Sequence, residues 1–358
     1  MVIGIDAREG AKSRRAGKGE YVYQLITALI PNTQHQLVLF LDQDPPAEWK
    51  KSNVRCLVWK ISAWAWQWRV FWYLELLRPV DVYLATTSLI IPALVRSVPI
   101  VTALMDFVSF LFPDQHNLKA VVLEKIWMRP ALRYSRKLIA ISENTKQDAV
   151  RLFRVEPHKI TVTYLAASFS QDTKTYPLPR RPIILFVGTF EPRKNLERVI
   201  AAFNQIKPLV PEALLILVGH WGWQSQAIKQ AIQENPYQAD IKILTDVDNS
   251  QKRSVYQQAK VLVFPSLYEG FGLPPLEAMA CGVPVITSRS SSLPEVVGDA
   301  GILVDPTSVG EIADALQKIL LKPELAIALG QQGQIRAAQF TWSKTALRTL
   351  KILEDVGK

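Results

Sequence analysis

Two glutamates, Glu269 and Glu277, stand with seven residues between them in the run EGFGLPPLEAMACGVPVI (269–286). Gly270 and Gly272 carry no Cβ and allow close backbone approach. Pro274 and Pro275 suit the first turn of a helix, where a missing amide donor costs nothing. A helix N-terminus offers unpaired N–H groups and the positive end of its dipole, so a glycine loop feeding it can cradle a phosphate. Carboxylates repel phosphate and are better placed to accept hydrogen bonds from hydroxyls. A ligand with both phosphates and many hydroxyls would use every part, and a nucleotide sugar is one. The same spacing also suits a plain βα turn with solvated glutamates. A second group, Arg193 and Lys194, follows the apolar run 183–187 in GTFEPRKNLERVIAAF (188–203). Cations at the carboxyl end of a strand can neutralise a leaving diphosphate. Read otherwise, they are solvated surface charges.

The elements that must position these residues alternate between strand and helix. Residues 261–264 read as a strand, 276–280 as a helix that Gly282 can end, and 283–287 as the next strand. Upstream, 183–187, 213–218 and 241–244 are apolar strands of the parallel type. Helices are expected at 250–258 and 311–321, and residues 340–343 open a last one that runs to about 355. Another begins after Asn195, which can cap it, and turns Leu196, Val199, Ile200 and Phe203 to one face. The first half repeats the scheme. Strand 2–7 leads through a Gly/Arg/Lys-rich loop to a helix over 19–31, whose Val22, Leu25, Ile26 and Leu29 share a face. No GxGxxG fingerprint follows that strand, which counts against a dinucleotide-dependent dehydrogenase. Strands follow at 36–41, 54–58, 80–85, 99–104 and 137–140, with helices over 118–135 and, capped by Ser142, over 145–153. Trp64, Trp66, Trp68 and Trp72 with Arg69 fit a membrane-interface or sugar-stacking surface. They also fit an amphipathic helix over 66–77 packed on the sheet, and that is the expected reading.

At 358 residues, nearly half of them hydrophobic, the chain favours two domains. Residues 166–182 are polar and proline-containing and mark the boundary. The net charge of +10 is uneven. Residues 1–165 hold 22 Lys and Arg against 14 Asp and Glu, and the remainder 20 against 18. A basic first half favours an anionic membrane surface or a phosphate-bearing acceptor. Nucleic acid would explain the charge alone, but no nucleic-acid motif accompanies it. Cys56 and Cys281 lie far apart without metal-ligand spacing, which suits a reducing compartment. The start does not resemble a signal peptide, and no apolar run is long enough to span a bilayer. A cytoplasmic location, peripheral at the inner face of the plasma membrane, is therefore expected.

The run 269–286 closely resembles the signature of glycosyltransferase family 4, the glycosyl transferases of group 1. The likeness extends over nearly the whole chain and is strongest from residue 183 onward. It implies an α/β GT-B fold, two doubly wound Rossmann-like domains facing across a cleft. The first, 1–165, would bind the acceptor. After the linker 166–182, the second, 183–340, would bind the nucleotide sugar. Helix 341–358 would cross back to the first domain. The resemblance also implies retention at the anomeric carbon without a metal or cofactor. By the same likeness, Glu269 would contact the transferred sugar and Glu277 the ribose. Gly270, Phe271, Gly272 and Leu273 would serve the distal phosphate and sugar through their amides. Gly17 and Gly19 match positions that approach the donor diphosphate, with Glu20 where relatives carry a basic residue. Lys194 matches the diphosphate lysine. The partner arginine is replaced by Thr189, and Arg193 is the candidate substitute. Thr245, Asp246 and Val247 match a segment whose backbone reads the base. Met105 stands where relatives have a histidine near the reacting sugar. Met can neither accept nor donate a proton, so that role is absent here. Asp106 remains, to contact acceptor or donor or to cap the next segment. The loop 107–117 would line the acceptor cleft. The wording resembles mannosyl- and rhamnosyl-transferring members, so GDP-mannose is the first expected donor and a UDP-sugar the second. The acceptor would be a glycan or lipid-linked glycan. A GT-B epimerase and a non-catalytic relative stay open as alternatives.

Overall fold

The structure, a computed structural model, describes residues 1–13, 15, 17–115, 118–169 and 174–358. The chain forms two compact units. One comprises Met1–Leu111, Leu118–Leu165 and Thr341–Lys358; the other comprises Phe112–Asn117 and Ala166–Phe340.

The first unit holds a seven-stranded parallel sheet in the order β3-β2-β1-β4-β5-β6-β7. Its strands are β1 Val2–Asp6, β2 Gln36–Leu41, β3 Val54–Val58, β4 Val82–Ala85, β5 Ile100–Leu104, β6 Lys137–Ala140 and β7 Ile160–Val162. The second unit holds a six-stranded parallel sheet in the order β10-β9-β8-β11-β12-β13. Here β8 is Ile183–Val187, β9 Leu214–Val218, β10 Ile241–Leu244, β11 Val261–Phe264, β12 Val285–Ser288 and β13 Ile302–Val304. Strands covered on both faces bury every side chain, so β8 and β9 are continuous apolar runs rather than alternating ones. Each sheet winds outward in both directions from its first strand. The switch points therefore lie between β1 and β4 and between β8 and β11, where open α/β sheets bind ligands.

Helix Ala63–Leu77 starts earlier than the spacing predicts, because Ser62 caps it by accepting from the Ala65 amide. Trp66 packs inward with Val70 and Leu74 against Phe40 and Tyr83, and its indole N–H donates to the Leu41 carbonyl at 2.9 Å. Trp64, Trp68 and Trp72 do not share that core; they lie exposed on the opposite side. The amphipathic helix packed on the sheet is thus present, with Trp66 on its inner face and the other three tryptophans on its outer one.

Helix Pro323–Ala337 has no counterpart among the expected elements. Its Gly330 and Gly333 weaken the helical signal. They serve packing instead: a Cβ on Gly330 would sit 2.4 Å from the Gly282 carbonyl, and one on Gly333 about 3.1 Å from Met279. The last helix, Trp342–Gly357, belongs to the first unit. There Trp342 meets the Tyr21 ring and Thr345 donates to the Tyr164 carbonyl at 2.5 Å.

Of the expected linker, 170–173 lie outside the described residues, as do 14 and 16 of the basic loop and 116 and 117 of the loop after β5. Residues 174–178 are not loose. Lys174 donates to Ser250, Tyr176 to Ser254, and Gln258 brackets Tyr176 and Leu178. The rest of the loop after β5 folds into a short helix, Val108–Leu111, and a turn, Pro113–Gln115. Among the described residues no helix is long and apolar enough to cross a membrane.

Candidate active site

In the second unit, the segments leaving β8 and β11 meet at the switch point. After β8 the chain must turn tightly beside β9. Gly219 makes room, because a Cβ there would collide with the Gly188 carbonyl at 1.9 Å. A short turn, Pro192–Lys194, follows, and Asn195 takes a left-handed conformation at φ 63°. Asn195 occupies the expected cap position, but its side chain does not cap the helix. Its amide donates to the carbonyls of Pro265 and Pro306 at 2.9 and 2.6 Å, tying the β8 turn to the segment after β11. That cross-tie aims the two preceding cations at Glu269.

Lys194 Nζ lies 2.6 Å from Glu269 Oε1 and Arg193 Nη1 lies 3.2 Å from the same oxygen. The Ser266 hydroxyl donates to it at 2.6 Å. Arg193 also pairs with Glu191 and donates to the Tyr268 carbonyl. All three charged groups are nearly buried. Burial by itself would raise the Glu269 carboxyl, but Lys194, Arg193 and the Ser266 hydroxyl outweigh it and hold the group below the usual glutamate range. The Lys194 ammonium is lowered, chiefly by burial, although Glu269 opposes the shift. The two directions differ in meaning for a simple reason. Glu269 faces two cations, whereas for Lys194 the pull of Glu269 and, more weakly, Glu191 is opposed by burial and by the like charge on Arg193.

The glycine loop continues from Glu269 into helix Leu273–Ala280, with Gly272 at its N-cap at φ 112°. A Cβ there would meet Leu293 at 2.6 Å, so both the angle and the space require glycine. Pro274 and Pro275 have no amide hydrogen, so an anion at this helix end depends on Leu273 and the loop amides before it. The loop is held from behind: Glu269 N–H donates to Ser291 Oγ, and the Ser292 hydroxyl lies within 2.9 Å of the Glu269 carbonyl and 2.7 Å of that of Phe271. Gly282, at φ 73°, ends the helix as the spacing predicts.

Glu277 lies on the buried side of this helix. Its carboxylate pairs with Lys252 and accepts from the Tyr256 hydroxyl at 2.8 Å, both from helix Lys252–Gln258. Burial, and then the Glu277 charge, push the Tyr256 phenol well above its ordinary range, so it remains a donor. Asp246 of the expected base-reading segment accepts from Tyr176. His220 is exposed, and its contribution is a backbone carbonyl that accepts from Phe190. Thr189 is exposed at the turn after β8.

Asp106 and Gly19 belong to the first unit. Asp106 Oδ1 accepts from the Val108 amide at 3.1 Å, capping the short helix that follows. Met105 is buried in the core. Lys18 faces Asp106 and Glu124, and Asp106 above all raises its ammonium. Gly19 packs against the first unit's own backbone, since a Cβ there would meet the Glu9 carbonyl at 2.9 Å. Glu20 is taken up by Arg15 and Gln24. The switch point of this sheet opens into a cavity of about 410 Å³ lined in part by Arg8, Lys18, Gln67, Ser88, Glu124 and Trp127. Arg8 there grips the buried Asp6 with two hydrogen bonds of 3.0 Å and stacks over Trp66.

The structure thus brings Arg193, Lys194 and Glu269 together where the glycine loop begins, and places Glu277 on the helix that the loop enters, with Lys252 and Tyr256 as its partners. Sequence reasoning missed Lys252, Tyr256, Ser291 and Ser292, whose partners lie more than twenty residues away along the chain, and Ser266, whose partner Glu269 is only three residues on. Among the described residues no three His, Cys, Asp or Glu side chains are grouped to hold a metal ion.

Residues 170–336 match the family model of the glycosyl transferases group 1. The chain is 32% identical over 262 residues to O-antigen chain mannosyltransferase B of Escherichia coli, which covers 70% of this chain and 68% of that protein. Sucrose-phosphate synthase from Thermosynechococcus elongatus is 22% identical with a TM-score of 0.78, covering 99% of this chain and 98% of that one. Anabaena HepE in complex with UDP and glucose is 18% identical with a TM-score of 0.77, covering 99% of both. The likeness to these solved structures is one of fold, and that fold, with its two parallel α/β sheets, is GT-B. With the group model matched through the unit that carries Glu269 and Glu277, and a mannosyltransferase aligned over more than two thirds of its length, this chain belongs to the glycosyl transferases of group 1.

Proposed function

We propose that this glycosyltransferase moves a hexosyl unit, mannose, from a nucleotide diphosphate sugar to a glycan or lipid-linked acceptor, with retention and without a metal or cofactor. The observation that carries the reading is the convergence of Arg193 and Lys194 on Glu269 beside the glycine loop. A diphosphate brought to these cations takes over part of their pairing with Glu269. The carboxylate then has lone pairs for the hydroxyls of the transferred sugar. Two cations and the loop amides offset the charge that grows on the leaving diphosphate, which is the work a metal does elsewhere. Arg193 supplies the cation missing at Thr189. Glu277, oriented by Lys252 and Tyr256, accepts from the ribose hydroxyls. Mannose is favoured by the E. coli relative's name, and HepE's complex with UDP keeps a UDP-sugar as the second donor. Asp106, beside Lys18, would contact the acceptor in the first unit, whose basic character suits an acceptor at an anionic membrane face on the cytoplasmic side.

Calorimetric titration with GDP, UDP, GDP-mannose and UDP-glucose in EDTA tests this. One nucleotide series should bind, and Lys194→Ala and Glu277→Ala should each weaken it about ten- to a hundredfold, the worth of a charged hydrogen bond. Absence of binding by every nucleotide would remove the donor-site assignment.

A further inference from the structure

We propose that helix Ala63–Leu77 is an interfacial anchor that lays its outer face into the headgroup–acyl boundary of an anionic bilayer. Trp64, Trp68 and Trp72 recur every four residues and so form one stripe, 54, 47 and 54% exposed. Leu76 and Leu77 prolong it at 71 and 65%, and Ile61 precedes it. The fold does not need this face, because Trp66, Gln67, Val70 and Leu74 already bury the inner one. A helix facing water ordinarily carries charges outward, and large apolar patches on a surface mark interaction sites. Here the helix holds two charged side chains. Arg69 stacks over Trp59, and Glu75 is spent accepting from the backbone amides of Arg96 and Ser97.

The charge around the stripe selects the occupant. Residues 50–80 contain six Lys and Arg, all exposed, and one carboxylate, Glu75; of the six, Lys60 is paired with Asp44 at 2.7 Å, which leaves the surplus positive. Two copies packed face to face would set like charges against each other, whereas anionic headgroups reverse the sign. Tryptophan prefers the interface because its ring is apolar and its N–H polar. At 15 residues the helix is about 22 Å long, too short to span a hydrocarbon core but suited to lie in the boundary. Gln67 from this helix and Trp127 from helix Leu118–Tyr134 line the first unit's cavity, and the second helix exposes Val122, Leu123 and Ile126. The inference rests on the membrane-face part of the proposed function and not on the donor site, so flotation can fail while nucleotide binding holds.

Flotation of the full chain with vesicles of phosphatidylglycerol and phosphatidylcholine, against phosphatidylcholine alone, tests it. The chain should float with the anionic vesicles. Leu76→Glu, and separately Trp68→Ser with Trp72→Ser, should reduce this at least about tenfold. Nucleotide titration and melting temperature report whether each variant is folded, and Leu76 is exposed enough to be changed without loss of the core. No flotation of the parent, or flotation equal in parent and variants, overturns the proposal. So does light scattering that shows a dimer which Leu76→Glu dissociates, since the occupant would then be a second copy.

Discussion

At Glu269, burial and charge oppose each other, and charge wins. Its carboxyl lies below the usual range when folded, so the stability it adds is complete above the ordinary glutamate value, about 4.3. It is lost as pH falls through the lower folded value. Chemical denaturation followed from neutral pH downward should show stability falling in that window, and Glu269→Gln should flatten part of the fall. The same reasoning applies to Tyr256, whose hydroxyl is a buried donor to Glu277 at 2.8 Å. Tyr256→Phe keeps the ring and removes the donor, which should cost about 1–3 kcal/mol of stability. If Tyr256 orients Glu277 for ribose, nucleotide affinity should drop as well; unchanged affinity would make it a structural partner only. None of the partners of Glu277 is legible locally, because Lys252 and Tyr256 sit on another helix and meet it only when β11 intervenes.

Among the elements, helix Pro323–Ala337 argues against its own propensity. Gly330 should cost about 1 kcal/mol relative to alanine in an exposed helix. In this place, the Gly282 carbonyl occupies the space of a side chain. Gly330→Ala should therefore destabilise, by about 1–3 kcal/mol, where propensity alone predicts the reverse. A melting temperature higher than the parent's would mean that the two helices separate without penalty. The turn after β8 shows the same priority. Asn195 has the right type and position for a cap, yet spends its amide on two distant carbonyls. Capping chemistry is visible in sequence; the competing partners are not.

For the molecule as a whole, the path of the chain matters more than its order. Helix Trp342–Gly357 follows the second unit in sequence but completes the first, where Thr345 donates to the Tyr164 carbonyl and Gly357 lies close to Met1 and Val82. Truncation after Phe340 should therefore loosen the first unit. Hydrogen exchange should rise in helix Gly17–Asn32 and β4 while β8 and β11 keep their protection. Equal loss in both units would show that they unfold as one.

Sequence by itself determined the alternation of strand and helix, the parallel sheets, and the glycine loop with its two glutamates. Buried strands are continuous apolar runs, and the left-handed turns at Gly272 and Gly282 are written as glycine, although the one at Asn195 is not. It also marked Arg193 and Lys194 as cations at a strand's end. Tertiary structure alone decided that both reach one oxygen of Glu269, and that Lys252 and Tyr256 hold Glu277. It also placed three of the four tryptophans of 64–72 outside, because helical periodicity says which residues share a face but not which face meets the sheet. These outcomes depend on which distant segments arrive at the same point, and a local pattern carries no term for that.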